Sequence, residues 1–173
     1  MKQRDINYLL FGTIEFDDTY IGGPTVGKKR GRGTEKSKVF VAVSIDKKGR
    51  PKYLKMQTTD NIQQRSVRKF AQANIQAEAT IISDGYRSYI PALKDYKHEH
   101  GVYNPDAGML HWLHTMIGNA KAFILGTYHG LPKKNLQEYL VEFCYSFNRR
   151  HFTDLCDRLT NTIALLSFAD LKG

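Results

Sequence analysis

One stretch constrains this fold more than any other: residues 13–23, TIEFDDTYIGG. Ile14, Phe16, Thr19 and Tyr20 are β-branched or aromatic, which suits a pleated, half-buried strand, and the closing glycines mark a turn. Two adjacent carboxylates, Asp17 and Asp18, interrupt that pattern. Aspartate is depleted in strands, and a local conflict of this kind is expected where a site is being built. Side chains alternate faces along a strand, so the two aspartates point opposite ways. One can face a site while the other faces solvent or a basic neighbour. The plainer alternative is a hairpin strand with a solvated acidic end.

The segments that follow supply partners for this strand. VFVAVSI (39–45) is a strongly apolar strand, DKKGR (46–50) is a turn, and 51–57 alternates apolar and basic residues as a paired strand. Together they predict a three-stranded antiparallel meander. Residues 61–73 read as a helix with Asp60 as N-cap and Ile62, Val67, Phe70 and Ala71 on its apolar side. The run ATII (79–82) is a buried strand ending in Ser83, Asp84 and Gly85. An aspartate at the carboxyl end of a parallel strand sits where open α/β sheets place their chemistry. Capping a helix over 86–96 is an equally good use of Asp84. Residues 98–103 form one more strand, and NPDAG (104–108) is loop chemistry. A helix over 110–125 carries His111, Trp112, His114, Asn119 and Lys121 as its polar members. After a loop over 126–134, the 136–147 helix is amphipathic, with Leu136, Leu140, Phe143 and Phe147 on one face. Arg149, Arg150 and His151 bring cations to its negative end. Thr153 caps a final helix bearing Leu155, Leu159, Ile163 and Leu166.

Charge points to the partner. The 173 residues carry a net charge of +9, which favours a polyanion, with nucleic acid first. Residues 22–38 are glycine-rich and basic, with Lys28, Lys29, Arg30 and Arg32 in one run. They lack the glycine-lysine-serine/threonine order of a nucleotide loop, which leaves a DNA-contacting arm or a solvated hairpin loop. Cys144 and Cys156 sit among apolar residues without CxxC spacing, as buried thiols of a reducing, cytoplasmic compartment do. The start lacks a sustained apolar core, and no run approaches the ~20 apolar residues of a membrane span.

The element order β-β-β-α-β-α-β-α-α predicts an α/β fold: a ribonuclease-H-like mixed sheet, the antiparallel meander joined by parallel strands and flanked by helices. In such a sheet the first strand and the strand ending at Asp84 lie side by side, so Asp17 and Asp84 converge. Two hard oxygen ligands at one spot suit Mg²⁺ or Mn²⁺. Two such ions serve phosphodiester displacement.

Six segments in this order, TIEFDDTYIGG, the KKRGRG arm, IISDGYRSY, HTMIGNAK, GTYHGL and LQEYLVEFCYSFNRR, resemble the ISXO-two-like insertion-sequence transposases of the DDE superfamily. The resemblance covers about 13–150 and implies DNA transposition by metal-dependent cleavage and strand transfer. It implies Asp17 and Asp84 as the first two catalytic carboxylates. At the third position it implies the branch with Asn119, whose amide oxygen ligates metal, and Lys121, which contacts a DNA phosphate. On an ideal helix Asn119 and Lys121 do not share a face, whereas His114 and Lys121 do, so His114 is a further site candidate. DNA contacts fall to Lys28, Lys29, Arg30, Arg32, Lys121, Arg149 and Arg150. The expected partners are transposon ends and target DNA, engaged by a homodimer in a synaptic complex near the nucleoid. Only 12 residues precede the first motif, none of them Cys, so the chain reads as a single catalytic domain over 1–173 without the family's zinc ribbon. Two other readings remain open: a DNA-binding remnant without activity, and a nuclease that cuts without joining.

Overall fold

The computed structural model describes residues 8–22, 36–102, 104, 108–127 and 133–151. The basic run at 28–32, the GTYHGL loop from 128 on, Cys156 and the helix expected after Thr153 lie outside the described residues.

Five strands form one sheet: β1 (Thr13–Ile21), β2 (Ser37–Ile45), β3 (Pro51–Thr59), β4 (Thr80–Asp84) and β5 (Lys97–Gly101). Their spatial order is β3-β2-β1-β4-β5. β1–β3 pair antiparallel as a meander, and β4 and β5 run parallel to β1. This is the ribonuclease-H-like arrangement expected from the element order, with β1 at the centre. The β2–β3 turn forms as its residues dictate. Asp46 Oδ1 accepts the Lys48 and Arg50 amides at 2.8 and 2.9 Å, and Gly49 takes a φ of 73° that favours glycine.

β2 is apolar throughout because both its faces are covered. Phe40 and Ala42 join Ile14 and Phe16 of β1 under helix α1 (Gln64–Asn74) and the one-turn helix α2 (Tyr89–Ala92). Val39, Val41 and Val43 face the other way, under α3 (His111–Thr127) and α4 (Leu136–Asn148), with Leu113, Met116, Ala120, Leu140 and buried Cys144.

Edge strand β3 is closed by α4. The Asn148 side chain accepts the Leu54 amide at 2.7 Å and donates to the Leu54 carbonyl at 3.0 Å. Gln137 accepts the Thr58 amide at 2.7 Å and donates to the Met56 carbonyl at 3.2 Å. Side-chain amides thus complete the ladder that a bare edge leaves open.

Two local expectations are corrected. Helix α1 starts three residues later than expected, and Asp60 does not cap it. Asn61 organises the entry instead, its Oδ1 accepting the Gln63 amide at 3.1 Å and the Ser66 hydroxyl at 2.8 Å. The helix expected over 86–96 is a single turn. Pro91 offers no amide within it, and the chain bends at Tyr96, whose amide donates to the Leu93 carbonyl at 3.0 Å, before entering β5.

Candidate active site

The site begins with register. β1 and β4 pair in parallel, Glu15 with Ile82 and Phe16 with Ser83. One step further along, Asp17 and Asp84 are neighbours on adjacent strands. Both lie two residues beyond the Glu15–Ile82 pair, so they share its face of the sheet, beneath α3. Asp17 is largely buried, and burial is the main reason its carboxyl is pushed up to about 7 from 3.8. The charges of Asp84 and Asp18 push the same way, while bonds from the Asp18 amide and the Tyr89 hydroxyl oppose them. The Asp18 amide donates to Asp17 Oδ1 at 2.7 Å.

Asp18 points to the opposite face, where it is partly buried. The Tyr89 hydroxyl reaches it with a short hydrogen bond and also donates to Asp17 Oδ1 at 3.1 Å. Tyr89 is fully buried between Phe16 and Tyr86, so one phenol holds both aspartates from the α2 side. Burial and the neighbouring carboxylates keep that phenol protonated, far above its usual range. Asp84 Oδ1 accepts the Tyr86 amide at 3.1 Å. Asp84 therefore ties down the turn after β4 without capping the helix, whose N-cap is Ser88, and its carboxylate acts on Asp17.

Two residues of α3 join from above. Burial lowers the His114 pKa first, the Lys121 charge lowers it further, and Asp84 opposes both. His114 thus stands within electrostatic reach of both Asp84 and Lys121, and His114 and Lys121 lie on one side of the helix, seven residues apart. Burial also lowers the Lys121 pKa, with a smaller contribution from Lys36 just ahead of β2. Charge thus links His114 to Asp84 on one side and to Lys121 on the other.

The family model of the ISXO2-like transposase domain matches residues 9–148. The chain belongs to this family. Among solved structures, a chain from the cryo-EM structure of the simian T-cell lymphotropic virus intasome in complex with PP2A regulatory subunit B56 gamma is similar at 10% identity and a TM-score of 0.44. The match covers 86% of this chain and 59% of that one, so the transposase domain spans about three-fifths of its length. No curated protein matches.

Asn119 of the transposase domain lies on α3 on a different flank from Lys121. It is exposed, and two residues along a helix place it roughly 160° around the axis from Lys121. Among the expected DNA contacts, Lys28, Lys29, Arg30 and Arg32 lie outside the described residues. Arg149 stacks on Tyr145 at 3.7 Å. Arg150 stacks on Phe147 at 3.9 Å and donates to the Phe147 and Lys52 carbonyls at 2.8 and 3.3 Å and to that of Pro51. Arg150 is therefore a helix-closing residue that fastens the end of α4 to β3.

Three groups that the sequence did not single out belong to the site: Tyr89, Lys36 and Glu15. Glu15 is 9% exposed, and its Oε2 accepts the Leu113 amide at 2.6 Å in the first turn of α3. Burial raises its pKa, while bonds from the Leu113 and Trp112 amides and the His111 charge oppose the rise. A carboxylate on β1 thus caps α3 and sets how His114 and Lys121 sit over Asp17. Its spacing carried the signal, because Glu15 is two residues from Asp17 and shares its face.

The carboxylate pair fits a divalent cation of the Mg²⁺ type. Such an ion is held by one or two carboxylates and keeps several waters, so it needs no all-protein cage. Among the described residues no three His, Cys, Asp or Glu side chains form such a cage. The Asp84 charge adds to the rise in the proton affinity of Asp17, and a cation between the two carboxylates removes that repulsion. No described helix is long and apolar enough to cross a membrane.

Proposed function

We propose that the transposase domain cuts DNA at the ends of an insertion element and transfers the resulting 3′-hydroxyl ends into target DNA. The observation that carries this reading is the place of Asp17 and Asp84, each one step beyond the Phe16–Ser83 pair of adjacent parallel strands, with Asp17 pushed up to about 7. The two carboxylates would hold Mg²⁺ or Mn²⁺, two ions in the full assembly, which would supply activation of the attacking oxygen and charge neutralisation at the leaving oxygen. The chain's own residues do the rest. Tyr89 orients Asp17 and Asp18 from behind. Lys121 binds a phosphate of the DNA end and so fixes the strand against the carboxylates. Asn119 and His114, both on α3, are the two candidates for the third position, and His114 is the one that senses the Asp84 charge.

The partners are transposon-end and target DNA, engaged by a homodimer in a synaptic complex in the cytoplasm, with residues 1–173 as one catalytic domain. The net charge of +9 supports a polyanionic partner.

The test is incubation with Mn²⁺ and a duplex carrying the element's terminal inverted repeat. Nicking and joined products are expected, and both vanish in Asp17→Ala and Asp84→Ala. Nicking that survives both substitutions refutes the site. Nicking without joined product makes the domain a nuclease only, and DNA retention with no nicking makes it an inactive remnant.

A further inference from the structure

A second basic surface lies at the same end of the sheet as the carboxylate pair. A cleft of about 760 Å³ opens where β2 begins and β3 ends, bounded by α1 and the start of α4. Lys36, Lys38, Lys69 and Lys134 line it against one carboxylate, Asp60. They come from four separate places: the residue before β2, β2 itself, α1 and the turn before α4. Lys38 donates to the Asp60 carbonyl at 2.8 Å, which holds its ammonium at the rim, while Lys69 and Lys134 are exposed. Four cations gathered from distant segments repel one another, an arrangement that favours a polyanion over any neutral ligand.

The cleft continues into the active site through Lys36. That residue lines the cleft and also lies close enough to Lys121 to lower its pKa, and Lys121 is in turn within electrostatic reach of His114, which senses Asp84. Positive charge therefore runs without a break from the carboxylate pair, around the start of β2, to the α1 side of the sheet.

We propose that this lysine-lined cleft binds the phosphodiester backbone of duplex DNA flanking the position held at Asp17 and Asp84. The proposal rests on the DNA-cutting reading above and assigns it a track that the family motifs do not contain. Contacts of ammonium groups to phosphates carry no sequence information, so the cleft sets the path and register of the duplex without choosing its sequence.

The experiment compares two double variants of the full chain, Lys69→Gln/Lys134→Gln in the cleft and Lys47→Gln/Lys48→Gln at the exposed β2–β3 turn on the opposite end of the sheet. Each removes the same charge. Binding of a fluorescent 30-base-pair duplex is measured by anisotropy between 50 and 200 mM salt. Losing two phosphate contacts reduces the slope of log K against log salt by about 2, since each contact contributes roughly 0.9. The cleft pair is expected to show that change with about tenfold or greater weakening at low salt, and the turn pair to match wild type. Equal weakening by both pairs, or by neither, overturns the proposal. Mn²⁺-dependent nicking by the wild-type chain is followed alongside. Its absence counts against the cutting reading, whereas nicking with an unaltered cleft variant counts against the cleft alone.

Discussion

The β3 edge and the β1–β4 seam face the same physical problem and resolve it in opposite ways. Both place polar groups in a half-buried setting. At the edge, the groups are neutral and matched: the amides of Asn148 and Gln137 meet the backbone of Leu54, Met56 and Thr58. At the seam, Asp17, Asp18 and Asp84 gather around one phenol, and the proton affinity of Asp17 climbs. A protein that needed only to be stable would treat the seam like the edge. Charge left crowded there costs stability and marks a place prepared for an outside cation.

Substitutions at the two places should therefore move stability in opposite directions. The largest stability effect is expected at the edge. Asn148→Ala strands the amide and carbonyl of Leu54 against the α4 core and should cost about 2–3 kcal/mol by urea unfolding. Nicking per folded molecule should stay at the wild-type level. A variant as stable as wild type would mean that water replaces the amide freely, and the contrast between edge and seam would weaken.

The edge and the seam also differ in how far the sequence announces them. The strand character of β1 was legible because Ile14, Phe16 and Thr19 override two aspartates, and β2 was legible because both its faces are buried. The meander followed from Asp46 and Gly49, whose turn roles are local. The Asp17–Asp84 pairing followed from element order alone, since parallel neighbours share a face. The capping of α1 was not legible: whether Asp60 or Asn61 caps depends on the direction in which the chain leaves β3. The contacts that assemble the site are longer still. Tyr89 reaches Asp17 across 72 residues, and Glu15 reaches Leu113 across 98. No local pattern encodes such pairs. The side of α3 that faces Asp84 depends on them, so helical spacing alone does not choose between Asn119 and His114.

At the seam the sign reverses. Asp17 in the folded chain holds its proton up to about 7, against 3.8 for an unperturbed aspartate. Between those values the folded state binds more protons than the unfolded state, so without divalent ions stability should fall as pH rises through this window. Asp17→Asn abolishes that slope and should raise stability at pH 7.5 by about 1–2 kcal/mol, below the full linkage value because its hydrogen bonds also change. Thermal unfolding in EDTA at pH 5 and pH 7.5 measures both quantities. Mn²⁺ should stabilise the wild type and leave Asp17→Asn nearly unmoved. A variant no more stable than wild type at pH 7.5 would remove the claim that the seam is strained.

A smaller effect is expected one layer behind. Tyr89→Phe deletes the hydroxyl shared by Asp17 and Asp18 and keeps the ring in its buried slot. That bond favours the ionised carboxylate, so its loss should move the acid limb of the nicking-rate profile to higher pH at a stability cost of about 1 kcal/mol. A purely structural tyrosine would lower stability and leave the profile in place.

The smallest effect is expected from the isosteric change Glu15→Gln, at a buried carboxylate on the seam's own strand that has been matched in the manner of the edge. Glu15→Gln keeps an oxygen to accept the Leu113 amide. It gives up the attraction between a full charge and the start of α3, about 0.3–1 kcal/mol. It also removes the cost of burying that charge, which is what raises the Glu15 pKa. The two changes oppose each other, so stability should stay within about 0.5 kcal/mol of wild type and nicking should be unaltered. Glu15→Ala removes the acceptor itself and should cost about 1–3 kcal/mol, because an amide in the first turn of α3 loses its partner. If Gln behaves as Ala does, the charge rather than the geometry holds α3 over Asp17, and Glu15 belongs with the strained carboxylates instead of the matched ones.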